Sequence, residues 1–149
     1  MPLASELEGT LRAALASARK AQDRPRTLVL GTVLASLKNR QLELQRDLGD
    51  EDVIEVLRKG VKLRREALEQ FQKAGRAELA DVESAQIRVL EEFLPPAADP
   101  DEIRAAVRAA IAGGAADVGR VMGQVMPRFK GRADGKLINQ IAREELQAR

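Results

Sequence analysis

The chain of 149 residues contains no cysteine, histidine, tryptophan or tyrosine. Without cysteine it can form neither a disulfide nor a thiolate metal site, which is typical of a cytoplasmic protein. Without histidine it lacks the most frequent metal ligand and the usual general base near neutral pH. These absences exclude the commonest catalytic and metal-binding centres, and we expect no metal and no cofactor.

Aromatic residues are also scarce, at 2% of the chain against 44% for hydrophobic residues as a whole. A core must therefore be built from leucine, valine, isoleucine and alanine, which pack helices well against helices. No segment shows the alternation of apolar and polar residues that is typical of strands. The composition and the residue patterns together predict an all-α protein.

Long hydrophobic runs are absent as well. No uninterrupted apolar stretch approaches the length that spans a membrane. Residues 1–6 show no basic region followed by an apolar core, which a secretory signal would require. We therefore expect a cytoplasmic protein that has no membrane partner.

Apolar residues recur at helical spacing in four segments of residues 1–94. Helix start and stop signals separate these segments: Ser5, Asp23 with Pro25, Gly49 with Asp50, and Ala74 with Gly75. The turn between the third and fourth segments is short, so these two helices should form an antiparallel hairpin. The sequence thus predicts an N-terminal bundle of about four helices.

The second of these helices carries apolar residues on two sides. One side bears Leu30, Val33, Leu34, Leu37 and Leu44, and the other bears Leu28, Ala35 and Leu42. A helix that is apolar all round is usually buried. We therefore expect the second helix to pass between its neighbours, with both apolar sides covered.

A proline-rich break follows, because Pro95, Pro96 and Pro100 cannot all lie inside a helix. We predict an N-terminal domain of residues 1–94, a linker of residues 95–100 and a small C-terminal domain of residues 101–149. Apolar spacing predicts three short helices in the C-terminal domain. Residues 1–94 contain equal numbers of basic and acidic residues, so the net charge of +2 arises entirely in residues 95–149.

The most informative stretch is residues 117–136, which carries a net charge of +3. Its cations are Arg120, Arg128, Lys130, Arg132 and Lys136, and its acids are Asp117 and Asp134. A local positive excess of this kind on a folded segment is typical of a surface that contacts phosphates. The alternative interpretation is that these cations only keep the surface soluble.

Within that stretch, the turn at residues 128–132 contains no acid that could pair with its cations. Gly131 would let backbone N–H groups approach a phosphate. We expect Met122 and Met126 to lie in the core beneath this turn, and Gly123 to allow close helix packing. Phe129 is expected to cap the core rather than to stack on a base.

No arrangement typical of an active site accompanies this stretch. The carboxylate pair Glu144 and Glu145 has no histidine or third ligand beside it, and adjacent acids on a helix point in different directions. Gly113 and Gly114 lack the lysine that completes a phosphate-binding loop, so they are interpreted as a helix stop. We therefore predict no catalytic residue.

Residues 117–136, continuing into Leu137 and Ile141, resemble the signature of the YqeY family, also called the GatB/YqeY domain family. Residues 62–71, followed by Leu79 and Glu83, resemble the N-terminal half of that family. The resemblance implies an all-helical protein whose C-terminal part is similar to the tail of the B subunit of tRNA-dependent amidotransferases. In those enzymes the tail contacts tRNA, so by motif position the five cations would contact phosphates here.

Three hypotheses about function follow from the residues and the resemblance. The first is a non-catalytic accessory protein of translation that binds tRNA and has an aminoacyl-tRNA synthetase or an amidotransferase as partner. The second is an amidotransferase-related component with carbon–nitrogen ligase activity and glutamine as amide donor, although the chain lacks the catalytic portion of that subunit. The third is a protein-interaction module that uses the helical hairpin of residues 53–93.

Overall fold

The computed structural model describes residues 5–148, and all regular structure among them is helical. The first helices are α1 (Glu6–Lys20), α2 (Arg24–Leu44), α3 (Asp50–Lys73) and α4 (Ala77–Glu91). They are followed by α5 (Pro100–Ala112), α6 (Val118–Val125), a short 3₁₀ helix (Met126–Phe129) and α7 (Gly135–Gln147). The prediction of an all-α protein is confirmed. None of the helices in this part of the chain is both long enough and apolar enough to cross a membrane.

The chain divides into two compact units between Leu94 and Pro95. We call them the N-terminal unit and the C-terminal unit, and each has a hydrophobic core of its own. The N-terminal core is built from leucines and valines of α1, α2 and α3, together with Ile87 and Leu90 of α4. The C-terminal core combines apolar residues of α5, α6, the 3₁₀ helix and α7.

The proline-rich segment is anchored to the C-terminal unit. Ala98 is 7% exposed within the C-terminal core, and its N–H group donates to the carbonyl of Arg132 at 2.8 Å. Asp99 then caps α5, because its carboxylate accepts from the N–H group of Asp101 at 2.9 Å. Pro100 takes the first helical position, where no N–H group is needed. The segment before α5 is therefore fixed against the turn that precedes α7.

Side chains cap α1, α2, α6 and α7, whereas α3 begins after Gly49 without a side-chain cap. The capping oxygens belong to Ser5 for α1, Asp23 for α2, Asp117 for α6 and Asp134 for α7. Each accepts from a backbone N–H group in the first turn of its helix, at distances of 2.9 to 3.2 Å. Such caps satisfy donors that have no partner within the helix, and each typically contributes about 1 kcal/mol.

The predicted hairpin of α3 and α4 is present. Gly75 has a φ of +70°, a left-handed conformation that glycine adopts without strain. The N–H group of Arg76 reaches the carbonyl of Phe71 at 2.9 Å, which completes a helix-ending turn. The chain then reverses, and α4 packs along α3, where Arg64 Nε donates to Gln86 Oε1 at 3.0 Å.

The prediction that α2 is covered on both sides is wrong. Leu30 and Leu37 are fully buried on the side that packs against the rest of the N-terminal unit. On the other side, Leu28 is 64% and Leu42 is 68% exposed. The three other helices of this unit all contribute to the single core that one face of α2 completes. No described element of the unit is left to cover the second apolar side, so that side faces solvent.

Candidate nucleic-acid interface

The five predicted cations lie on a frame made of α6, the 3₁₀ helix, the turn that follows it and the start of α7. Apolar side chains of this frame point inward: Val121, Val125, Phe129 and Ile138 are each at most 2% exposed. Because these apolar positions recur at helical spacing, the residues between them are directed to the surface. Four of the cations are exposed and one, Arg132, is partly buried.

Residues 128–132, which we call the basic turn, close on a single carbonyl group. The N–H groups of Arg132 and Ala133 both donate to the carbonyl of Phe129, at 2.8 and 3.0 Å. Gly131 has a φ of +78°, so this position needs glycine for its backbone conformation. The two N–H groups that follow Gly131 are already satisfied. At Arg132 and Ala133, the backbone N–H groups are therefore not available to a phosphate, and only side chains could contact one.

The core beneath the basic turn differs from the predicted one. Phe129 is 2% exposed, which confirms that it caps the core, and Met122 packs against the core while partly buried. Met126 is 44% exposed, so its predicted place in the core is wrong. The reason is that Val125 and Phe129, four residues apart, occupy the inward positions on either side of it. A side chain added at Gly123 would meet nothing within 4 Å. The prediction that this glycine allows close helix packing is therefore wrong too.

Arg132 has an acidic partner that the local sequence does not reveal. Its Nη1 and Nη2 atoms donate to the two carboxylate oxygens of Glu102 on α5, at 3.2 and 3.0 Å. Its guanidinium carbon also lies 5.9 Å from the centroid of the Phe129 ring. The expectation that the turn has no acid to pair with is therefore wrong for Arg132. This side chain ties the basic turn to α5, and Glu102 places an opposite charge beside it.

Arg120 is also close to an acid. Its Nε atom lies 3.7 Å from Asp117 Oδ2, and the arginine side chain is 71% exposed. Asp117 is the cap of α6, and its other oxygen accepts from the N–H group of Arg120 at 2.9 Å. An exposed ion pair of this length is weak, so Arg120 remains able to turn towards a ligand, although beside a negative charge.

Arg128 and Lys136 differ from these two cations. Both side chains are exposed, and neither forms an ion pair or a side-chain hydrogen bond with any residue among 5–148. Lys130 is exposed as well. The 3₁₀ helix and α7 adjoin, because Met126 Cε lies 3.4 Å from the position that a Cβ atom would take at Gly135. The structure thus places Arg128 and Lys136 on adjoining elements as cations that have no acidic partner within the described part of the chain.

Comparison with known proteins identifies a family for this chain. The sequence profile of a family described as "Yqey-like protein" matches residues 8–146, which is nearly the whole chain. The chain belongs to the YqeY family. The profile covers both units and all five predicted cations.

Two relatives of this YqeY-family chain are fungal proteins. An uncharacterized protein of Schizosaccharomyces pombe is 34% identical over 89 residues, covering 60% of this chain and 72% of the relative. A protein of Pyrenophora tritici-repentis named "Altered inheritance of mitochondria protein 41, mitochondrial" is 28% identical over 145 residues, covering 93% of this chain and 80% of the relative. Neither name states a molecular activity.

The carboxylate pair of this YqeY-family chain belongs to an ion-pair network between α5 and α7. Arg104 donates to Glu145 at 2.7 Å and to Glu144 at 2.9 Å, and Arg108 donates to Glu145 at 3.0 Å. Hydrogen bonding to Arg104 holds the pKa of Glu144 below its ordinary value. Hydrogen bonding to Arg108 and then to Arg104 lowers the pKa of Glu145. Both acids stay charged near neutral pH, and the network connects the two helices.

Two residues, Glu102 beside the basic turn and Arg143 on α7, were not predicted from the sequence as part of this site. Glu102 lies thirty positions before its partner Arg132, and no local pattern signals such a pairing. Arg143 is exposed on α7, seven residues after Lys136. That spacing of two helical turns places Arg143 and Lys136 on one face of the helix, and helical periodicity alone could have found it.

Proposed function

We propose that this YqeY-family protein is a non-catalytic accessory protein that binds tRNA through its C-terminal unit. The observation that supports this proposal is the exposure of Arg128 and Lys136 on a well-packed frame, without an acid among the described residues to neutralise them. Exposed cations on a folded surface are suited to contact phosphates. Such contacts dominate the affinity of proteins for nucleic acids. An aminoacyl-tRNA synthetase or an amidotransferase is the proposed protein partner, and the cytoplasm is the proposed location.

The chemistry of the surface favours recognition of the RNA backbone over recognition of bases. The C-terminal unit contains a single aromatic residue, Phe129, and that residue is buried. Base stacking needs an exposed ring, so this unit offers no platform for single-stranded RNA. A folded RNA presents closely spaced phosphates on a fixed shape, which suits a small set of fixed cations.

The number of available cations sets the expected strength of salt dependence. Arg132 is paired with Glu102, and Arg120 lies beside Asp117. Among the five predicted cations, Arg128 and Lys136 are the two for which the described residues 5–148 supply no ion pair or side-chain hydrogen bond. The contacts of these two cations alone contribute about −1.4 to −1.8 to the slope of log affinity against log salt concentration.

The test is binding of fluorescently labelled tRNA, measured by anisotropy across a series of salt concentrations. The variant Arg128→Gln with Lys136→Gln removes the two charges. We expect its affinity for tRNA to fall by a factor of up to about ten and its affinity to depend less steeply on salt concentration. The matched control is Arg12→Gln with Lys20→Gln, which removes an exposed arginine and an exposed lysine of α1. Salt-independent binding by the unmodified protein, or equal affinities for the two variants, would contradict the proposal.

A second candidate function is a protein-interaction module, and one observation favours it. An apolar groove lies on the N-terminal unit between the start of α2 and α4, lined by Leu28, Val82, Ala85 and Val89 among others. Leu28 and Val82 are 64% and 51% exposed there. A partner that is captured after nuclease treatment and lost in Leu28→Glu would support this function. No arrangement of the described residues favours the carbon–nitrogen ligase alternative.

A further inference from the structure

One face of α7 is polar along its length, and it begins with Lys136. Lys136, Asn139, Gln140 and Arg143 are spaced three or four residues apart, so they share one side of the helix. The opposite side carries Ile138, Ile141 and Ala142, which are buried in the C-terminal core. The core thus fixes which side of α7 faces solvent.

On this face, Arg143 has a geometry suited to an anion. Its Nε atom donates to Asn139 Oδ1 at 2.7 Å, so a neutral amide orients the guanidinium group. No described residue pairs with its two terminal nitrogens, and the side chain is exposed. A guanidinium fork that is held by one nitrogen and open at the other two is prepared to bind a phosphate through two hydrogen bonds.

The acids nearest to Arg143 in sequence are engaged elsewhere. Glu144 Oε2 and Glu145 Oε1 both accept from Arg104 on α5, and Glu145 Oε2 accepts from Arg108. Gln140 donates to the remaining oxygen of Glu144 at 3.2 Å. These acids therefore balance the cations of α5, and the positive charge of Arg143 is not cancelled by an ion pair within the described residues.

We propose that Arg143 is a further phosphate ligand and that α7 extends the RNA-binding surface beyond the basic turn; this inference rests on the proposed function. Seven residues separate Lys136 from Arg143, which is about 10 Å along a helix. At that separation each cation can contact a different phosphate of one bound RNA. The amide groups of Asn139 and Gln140 lie between them, where a strand bound to both cations would pass.

The test compares Arg143→Gln with Arg143→Lys in the full chain, by anisotropy of labelled tRNA over a salt series. We expect Arg143→Gln to weaken binding about fivefold and to reduce the salt slope by about 1, because one phosphate contact is lost. Arg143→Lys keeps the charge and should retain most of the affinity. Arg12→Gln, which removes an exposed arginine of α1, is the matched control and should bind like the unmodified protein.

The outcomes separate this inference from the function on which it rests. If Arg143→Gln keeps the full affinity and slope while Arg128→Gln with Lys136→Gln loses them, Arg143 is not a ligand and the proposed function stands. If the unmodified protein shows no salt-dependent affinity for tRNA, both are lost. Equal losses in Arg143→Gln and Arg143→Lys, together with a lowered melting temperature, would assign a structural role to Arg143 and overturn the inference.

Discussion

Glu102 on α5 and Arg132 in the basic turn form an ion pair with two hydrogen bonds, of 3.2 and 3.0 Å. The carbonyl group of the same arginine accepts from the N–H group of Ala98 at 2.8 Å. Side chain and backbone of Arg132 thus hold the turn against two other segments of the C-terminal unit. The arginine acts as a positioning residue for its neighbours, and Glu102 places a negative charge beside the proposed RNA surface.

Glu102→Gln should strengthen tRNA binding. The substitution removes a negative charge near the phosphates of a bound RNA, and it frees the charge of Arg132 for that surface. We expect an affinity two- to threefold higher at low salt, with a difference that shrinks as salt is added. Anisotropy of labelled tRNA at two salt concentrations measures the effect.

Asp101→Asn is the matched control for this change. Asp101 is the preceding acid on α5, it is exposed, and its side chain makes no ion pair with another residue of the described chain. Its neutralisation should change the affinity less than that of Glu102. Weaker binding in Glu102→Gln than in the unmodified protein would show that the ion pair serves only to position the turn.

Phe129→Ala should destabilise the C-terminal unit strongly. Phe129 is 2% exposed in the core, and truncation of a buried phenylalanine to alanine costs about 3 to 5 kcal/mol. Met126→Ala, three residues away, should cost less than about 1 kcal/mol because its side chain is 44% exposed. Denaturant unfolding of the two variants gives both values. Similar losses in the two variants would contradict the assignment of Phe129 as the core residue.

Gly131→Ala and Gly123→Ala should have opposite effects on stability. Gly131 has a φ of +78°, and an alanine there is disfavoured by about 1 to 2 kcal/mol. Gly123 lies in α6 with open space around it, so alanine should stabilise the helix by about 0.5 to 1 kcal/mol. Denaturant unfolding measures the two changes. A stabilised Gly131→Ala variant would mean that the turn adopts another backbone conformation in solution.

The stability of the N-terminal unit should fall in acid partly through Asp50. Its carboxylate accepts from the hydroxyl of Ser5 and from the N–H group of Leu7 at 3.1 Å, and it thereby joins the start of α3 to the start of α1. The hydrogen bond from Ser5, and then that from Leu7, lowers the pKa of Asp50 in the folded protein. An acid with a lowered pKa stabilises the fold above its unfolded pKa of about 3.9, and this contribution disappears as the pH falls through the folded value.

Asp50→Asn should therefore be less stable than the unmodified protein at pH 6, and the difference should shrink below about pH 4. Unfolding curves at pH 6, 4 and 3 measure it. Asp81→Asn is the control, because Asp81 is an exposed acid of α4 whose side chain has no hydrogen-bond partner among residues 5–148. A difference for Asp50→Asn that stays constant over this pH range would contradict the assigned hydrogen bonds.

The tertiary structure decided which apolar side chains are buried and which cations are open to a ligand. Leu28 and Leu30 both belong to apolar sides of α2, and the sequence does not distinguish them. Only Leu30 is buried, because the core of the N-terminal unit packs against one face of α2. Arg128 and Arg132 lie in one short turn, and of these two only Arg132 pairs with an acid among the described residues, namely Glu102 of α5. Contacts of this kind join residues that are distant along the chain, so no local pattern contains them.

The sequence by itself determined the helices, their caps and the stretch where function is proposed. Helical periodicity, capping residues such as Ser5 and Asp117, and glycines such as Gly75 act within a few residues, so their effect can be read locally. The positive excess of residues 117–136 is likewise a property of the sequence. Which cations of this stretch are exposed and lack an acidic partner is not a property of the local sequence. It depends on the side chains that the rest of the fold places beside each charge.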